Sequence, residues 1–333
     1  MTDTRADMPS VAERTRPVKA DAVAAHFLGQ TAVFVLGEEA LLFVGRDGAE
    51  QRVAVHGGAI LASAADGERI VTGGDDGKLA ATAADGASTA IATDAKHRWI
   101  DRVALGPAGA VAWSAGKQAF ARAGKGGEKM LDLPSSAGGL AFMPKGLRLA
   151  IAHYNGLTLW FPNAQSAPEA LTWKGSHLGV SVSPDGRFAV TAMQEAMLHG
   201  WRLADRKDMR MSGYGARVRS LEFSAGGQWL ATSGSTQLIL WPFQGKDGPM
   251  GKTPNILAPT EAMVEVVACH PRQEVVAVGY ADGLVLLVRL ADGAEVLARK
   301  GAGAPVTALA WSATGNLLAV AAEDGEAGVI DLG

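Results

Sequence analysis

Leu178-Gly179-Val180-Ser181-Val182-Ser183-Pro184-Asp185-Gly186-Arg187-Phe188-Ala189-Val190-Thr191 decides the fold. A run rich in apolar residues enters a Ser-Pro-Asp-Gly turn, and a second run leaves it. Pro fixes its backbone, Gly accepts a positive φ, and Ser and Asp oxygens bond back to nearby amides, which together make a tight turn. The β-branched and aromatic residues on either side favour strands. The same frame recurs along the chain. Residues 221–231 read LEFSAGGQWLA and residues 309–319 read LAWSATGNLLA. Residues 140–146 (LAFMPKG) are a third copy, and residues 267–273 (VACHPRQ) keep the frame without the glycine. Weaker copies end at Gly109 and Gly67, and the weakest lies at Gly29-Gln30.

Anchored on the turn, the copies fall at 30, 67, 109, 146, 186, 227, 273 and 315, between 37 and 46 residues apart. A period near forty marks a repeat architecture. Within each unit, apolar stretches alternate with Gly, Asp, Asn or Ser turns, and helical periodicity is absent. Residues 317–321 (LLAVA) and 275–279 (VVAVG) are nearly all apolar, as expected of strands covered on both faces. A second marker keeps the same frame: Trp160, Trp201 and Trp241 lie 41 and 40 residues apart, each closing an apolar run, and Val288 and Ile330 take that place in the next two units.

This pattern resembles a divergent, bacterial-type WD40 repeat over about residues 20 to 333, most clearly from Leu140 onward. In that family an inner strand leads to a Ser-Pro-Asp-Gly-like turn, a second strand, an Asp-Gly turn, and a third strand ending at Trp. The fold expected is all-β: a single WD40-like β-propeller of four-stranded blades. Eight blades are favoured, with seven as the alternative. No Trp is followed by Asp here. The turn Asp six residues before the Trp position survives as Asp76, Asp282 and Asp324, and is Tyr154, Glu195 and Ser235 in middle units. The Gly-His pair of the family is nearly gone, with His177 its closest remnant, so the His–Ser/Thr–Asp–Trp tetrad is expected to be incomplete in every unit.

A forty-residue, four-stranded unit cannot bury both its faces alone, so neighbouring units must cover one another. The last unit holds three strands before the chain stops, and its missing outer strand is expected from residues 16–21, pairing beside residues 328–332. Residues 1–15, charged and carrying Pro9, are expected to be a flexible tail, and residues 16–333 the propeller.

Composition narrows the function. The chain has 333 residues with 48% hydrophobic, enough for a large core. Lys+Arg number 31 and Asp+Glu 34, a balance unlike the basic excess of nucleic-acid proteins. One Cys rules out a disulfide framework. No apolar run approaches membrane-spanning length and no signal peptide is evident, so a cytoplasmic monomer is expected. Residues 245–253 (GKDGPMGKT) superficially resemble a phosphate loop, but five residues separate the glycines, and Pro254 follows where a helix should start. Cys269-His270 suggests a metal pair, yet adjacent strand residues point to opposite faces and chelate poorly. No catalytic constellation, metal set or cofactor motif emerges.

The turns joining second to third strands, and the connections into each next inner strand, lie on one face in this family. All three tyrosines map there: Tyr154 and Tyr280 in such turns, Tyr214 in a connection. Arg98, Trp99, His153, His177, Glu195, Arg217 and Arg219 lie in the same class of loops. Tyr, Trp and Arg dominate binding hot spots. The function expected is a non-catalytic scaffold docking a protein or peptide on this face, with neither nucleic acid nor membrane as partner. The alternative is a propeller enzyme or small-ligand binder that uses the central channel.

Overall fold

The computed structural model describes residues 8–124 and 126–333. Among the described residues the regular structure is strand, apart from two single 3-10 turns at Ala12–Arg14 and Pro107–Gly109. Six four-stranded sheets span residues 22–54, 60–93, 100–132, 221–257, 264–299 and 306–331, the last completed by Thr15–Lys19. A seventh sheet, six-stranded, spans residues 137–211.

The six-stranded sheet resolves the blade count. Its strand Glu169–Val182 pairs backwards with Leu149–Trp160 through residues 169–172 and forwards with Phe188–Met193 through residues 177–182. The outer strand of one repeat therefore runs on as the inner strand of the next. The expectation of eight separate blades gives way to seven sheets carrying eight sequence repeats. The physical reason is that only a short link, Trp173 to Ser176, bent at Gly175 with φ +113°, joins the outer strand of one repeat to the inner strand of the next.

The turn of the opening motif forms as its residues require. Ser183 Oγ accepts the Phe188 amide at 2.9 Å, and Asp185 Oδ1 accepts the Arg187 amide at 2.9 Å. Gly186, at φ +74°, donates its amide to the Ser183 carbonyl at 2.8 Å. Ser224 with Trp229 and Ser312 with Leu317 repeat the first bond at 3.4 and 3.1 Å. Where the serine is replaced by His270, its Nδ1 accepts the amides of Arg272 and Gln273 at 3.1 and 3.0 Å. The imidazole thus fills the serine's place, which accounts for a histidine at that point in the frame. The adjacent Cys269 is buried, and its Sγ lies 3.6 Å from the Glu222 carbonyl that it faces. Burial pushes its thiol well above the ordinary value, which keeps it protonated.

The chain divides into two compact units. Among the described residues the first comprises 8–36, 44–50 and 219–333. Its cores are aliphatic. One packs Leu238, Leu240, Val276, Val278 and Tyr280 together, and the other joins Ala277, Leu287, Leu318, Val320 and Ile330. Inner strands in this unit have open backbone edges, and side chains of neighbouring strands satisfy them. Ser220 Oγ accepts the Val267 amide at 3.0 Å, Glu222 Oε2 accepts the Cys269 amide at 2.9 Å, and Thr307 Oγ1 donates to the Ala22 carbonyl at 2.7 Å.

The chain's beginning latches this unit. Thr15 to Lys19 pair antiparallel with Ile330 back to Glu326, and Val18 is buried. The register differs from the expected one, in which residues 16–21 lay beside 328–332. In the observed register Pro17, which has no amide to donate, stands opposite Gly328. Of the expected tail, residues 1–7 lie outside the described residues. Pro9 to Arg14 are hydrogen-bonded, so the segment that engages the sheets starts before the expected boundary at 15.

The second unit comprises residues 37–43 and 51–218. Its cores place Trp160 among Ala112, Leu149 and Ile151, and Trp201 among Ala150, Leu157 and Ala189. Arg102 Nε donates to the Gly138 carbonyl at 2.8 Å, the same edge-satisfying device. At Gly138 a Cβ would run into the backbone carbonyl of His177, so this crossing of inner strands tolerates only glycine.

Candidate functional site

Antiparallel registers decide which loops share an end of their sheet. Ala137 at the start of one inner strand pairs with His153, and His177 at the start of the next pairs with Met193. The turns after His153 and Met193 therefore lie at the same ends as the connections that feed the inner strands. Tyr154 lies beside the reversal that Asn155 (φ +67°) and Gly156 (φ +143°) make within the element Leu149–Trp160, Glu195 occupies the turn after Met193, and Trp99 immediately precedes the inner strand Ile100–Leu105. Trp99 is 64% exposed and Tyr154 57%, the two most exposed large aromatics among the described residues. Glu195 is exposed as well, on a turn closed by the Met197 amide bonding to the Glu195 carbonyl at 2.7 Å. Arg217 reaches the same turn, with Nη1 donating to Gln194 Oε1 at 3.2 Å. The second unit thus gathers Glu195 and Arg217 at one turn and presents Trp99 and Tyr154 on loops of the same kind.

Five of the other expected residues, Arg98, His153, His177, Tyr214 and Tyr280, are engaged within the fold. Arg98 is clamped by Asp94, Nη2 to Oδ1 at 2.6 Å, and also donates to Gln118 Oε1 at 3.0 Å. Its hydrogen bonds hold the Asp94 carboxyl down to about 2. His153 is buried, with Nε2 on Thr158 Oγ1 and Nδ1 on the Tyr154 carbonyl, both at 2.8 Å. His177 is buried, with Nδ1 2.7 Å from Thr191 Oγ1 and Nε2 3.0 Å from the Trp173 carbonyl. Tyr214 is buried. Tyr280 is wholly buried and donates its hydroxyl to the Ala258 carbonyl at 2.7 Å. The Tyr280 ring, which ends the apolar strand Val275–Tyr280, turns into the core among Leu238, Leu240 and Val278, and Tyr214 is covered in the connection after Lys207–Met211. Arg219, in the first unit, is exposed and lies 4.0 Å from Glu265.

Two histidine sites escape the sequence reading. His56 Nδ1 lies 3.0 Å from Asp76 Oδ1, and its Nε2 lies 2.8 Å from Thr72 Oγ1. Burial pushes the Asp76 carboxyl up, but hydrogen bonds from Gly57, His56 and Lys78 win and hold it at about 2. This is three-quarters of a WD40 tetrad, with Thr82 at the Trp position. The signal was present as Val55-His56-Gly57, with glycine after the histidine where the family has it before. The second site is His199. It is wholly buried, stacked on Trp173 at 4.1 Å between centroids and set edgewise to Trp201 at 4.7 Å. Neither ring nitrogen has a hydrogen-bond partner, and Asp208 Oδ2 stands 3.8 Å from Nε2. Burial drives its pKa down to about 4.

In the first unit, beside the turns at His270 and Thr314, lies a cavity of about 470 Å³. Its wall combines apolar strand residues with Trp311 and His270, whose rings meet at 4.8 Å between centroids. No sequence signal marks it, since its lining is gathered from turns and strands far apart in the chain. Among the described residues no group of three or more His, Cys, Asp and Glu side chains is arranged to hold a metal ion. No helix among them is long and apolar enough to cross a membrane.

Comparison with protein families agrees with the repeat geometry. Residues 207–242 match the WD domain, G-beta repeat, and residues 267–333 match the anaphase-promoting complex subunit 4 WD40 domain. A search of curated proteins returns no match. Four-stranded antiparallel repeats, a first strand that completes the last sheet, and these two matches make the chain a WD40-repeat β-propeller protein.

Proposed function

We infer that this protein is a non-catalytic scaffold that docks a protein or peptide partner on the loop face carrying Trp99 and Tyr154. WD40 propellers typically serve as protein-interaction scaffolds. The observation that carries the reading to this face is the exposure of two large aromatics, 64% and 57%, in a chain that otherwise buries most of its aromatic rings. Solvent-exposed Trp and Tyr are costly to leave in water and are the residues that anchor interfaces. Glu195 and Arg217 add a charged rim of both signs, which suits a polar-edged protein surface better than a polyanion. In this reading the protein works as a cytoplasmic monomer, and neither nucleic acid nor membrane is its partner.

The test is the double substitution Trp99→Ala and Tyr154→Ala in the intact chain, followed by affinity capture from cell extract and quantitative comparison with the parent. Both side chains are solvent-facing, so the melting curve is expected to hold while the captured partner is lost. An unchanged partner set with an unchanged melt removes this face from consideration.

A further inference from the structure

The outer strand Glu295–Arg299 of the 264–299 sheet has a neighbour beyond its edge. Ser10 forms a parallel bridge with Leu297. The Leu297 amide donates to the Pro9 carbonyl, and the Val11 amide donates to the Leu297 carbonyl, both at 2.8 Å. The chain then turns through Ala12–Arg14 and enters the latch strand Thr15–Lys19. The two contacts differ in depth. The latch pairs over five residues, whereas the bridge rests on Leu297 alone among the described residues.

Val11 is only half-buried, and it reaches the wall of the 470 Å³ cavity beside Val275, Leu287, Val296, Trp311 and Leu332. That space is in the range of ligand-binding pockets and exceeds what one valine fills. Two of the polar groups of its wall, Arg289 and His270, are engaged by the protein itself, and Gln273, Thr314, Asn316 and Gly333 also line it. Arg289 is paired bidentately with Asp292 at 2.8 and 2.6 Å. His270 uses Nδ1 on the Arg272 and Gln273 amides and Nε2 on the Gly315 carbonyl. The part of the wall on which Val11 packs, with Val275, Leu287, Val296, Trp311 and Leu332, is apolar and suits an apolar side chain.

We propose that the Leu297 edge and this cavity form a strand-addition site for an extended peptide of a partner protein, which places an apolar side chain in the cavity. Residues 9–11 are its built-in occupant and are displaced when such a peptide arrives. The backbone of the occupant shows the binding mode: parallel to Glu295–Arg299, with hydrogen bonds to both polar groups of Leu297. The turn at Ala12–Arg14 lets that arm leave while the latch stays paired. The site is independent of the Trp99 and Tyr154 loops, so either can fail without the other.

The probe is a fluorescently labelled peptide with the sequence of residues 8–14, MPSVAER, titrated against the full chain and its Val11→Pro variant. The substitution removes the amide that bonds Leu297 and the side chain at the cavity. The variant is expected to bind the peptide at least about tenfold more tightly than the parent, because the competing arm is released. A peptide with Asp in place of Val is expected to bind neither. Equal binding by both chains, or none by a folded variant at a concentration on the order of 1 mM, overturns the proposal. Should the variant fail to fold, hydrogen exchange on the parent decides. The Val11 and Leu297 amides are then expected to exchange at least about tenfold faster than those of the latch ladder, and exchange in step with the latch overturns the proposal.

Discussion

Asp76 and His56 face each other at 3.0 Å, joining a turn between two strands to the connection that precedes its sheet. The same carboxylate accepts the Gly57 and Lys78 amides, both at 3.0 Å. Changing Asp76 to Ala leaves three donors without a partner in a mostly buried place. The expected cost is about 2–3 kcal/mol, read as a lower urea midpoint with an unchanged slope. A midpoint equal to the parent's shows that the triad contributes nothing to stability.

Val18 is the one buried side chain of the latch strand. Replacing it with Asp puts a charge into the edge of the last sheet and is expected to cost about 3 kcal/mol or more. Deleting residues 1–19 bares the edge of Glu326–Asp331 and is expected to cost several kcal/mol and to promote association through the open edge. Differential scanning calorimetry and light scattering read the two effects. An unshifted melt in the deletion shows that the last sheet holds with three strands.

His199 makes stability depend on acid. Its folded pKa of about 4 lies below the ordinary 6.5, so the unfolded chain takes up the proton first. The contribution is complete above pH 6.5 and is lost as pH falls through 4, a span worth on the order of 3 kcal/mol. His177 and His270 are shifted in the same direction by burial. His199→Phe keeps the stack on Trp173 without a titrating group. It is expected to flatten the fall in melting temperature between pH 6.5 and 4 by roughly the share of one histidine. Parallel curves for variant and parent contradict this assignment.

Gly138 sits where two inner strands cross, with no room for a Cβ beside the His177 carbonyl. Gly138→Ala is expected to cost about 1–3 kcal/mol through forced backbone movement, measurable by chemical denaturation. Gly146, at φ +72° with open space around it, is the contrasting position: its cost there is conformational strain alone.

The repeat, its strand order and the latch were legible because they depend on local chemistry. Turn residues recur with a period near forty, and apolar runs end at Trp160, Trp201 and Trp241. The merging of two repeats was not legible, since Gly175, at φ +113°, reads in the sequence as one more turn glycine between separate strands. Exposure was the harder quantity. Tyr280 and Trp99 both belong to residue types that anchor interfaces and both lie at strand ends, yet one is wholly buried and the other 64% exposed. Which way a ring turns depends on the neighbouring sheet, and a single strand does not encode it. His56 was overlooked because its glycine follows it, and His199 because a histidine between two tryptophans in space is separated from one of them by 26 residues in sequence.

The element Glu169–Val182, shared by two repeats, has a consequence for how the protein comes apart. Elsewhere the outer strand of one sheet and the inner strand of the next are separate elements. Here one element, bent at Gly175, pairs with a neighbour on each side, so residues 137–211 are expected to open together. That seam is the poorest place in the chain to insert, excise or exchange a module.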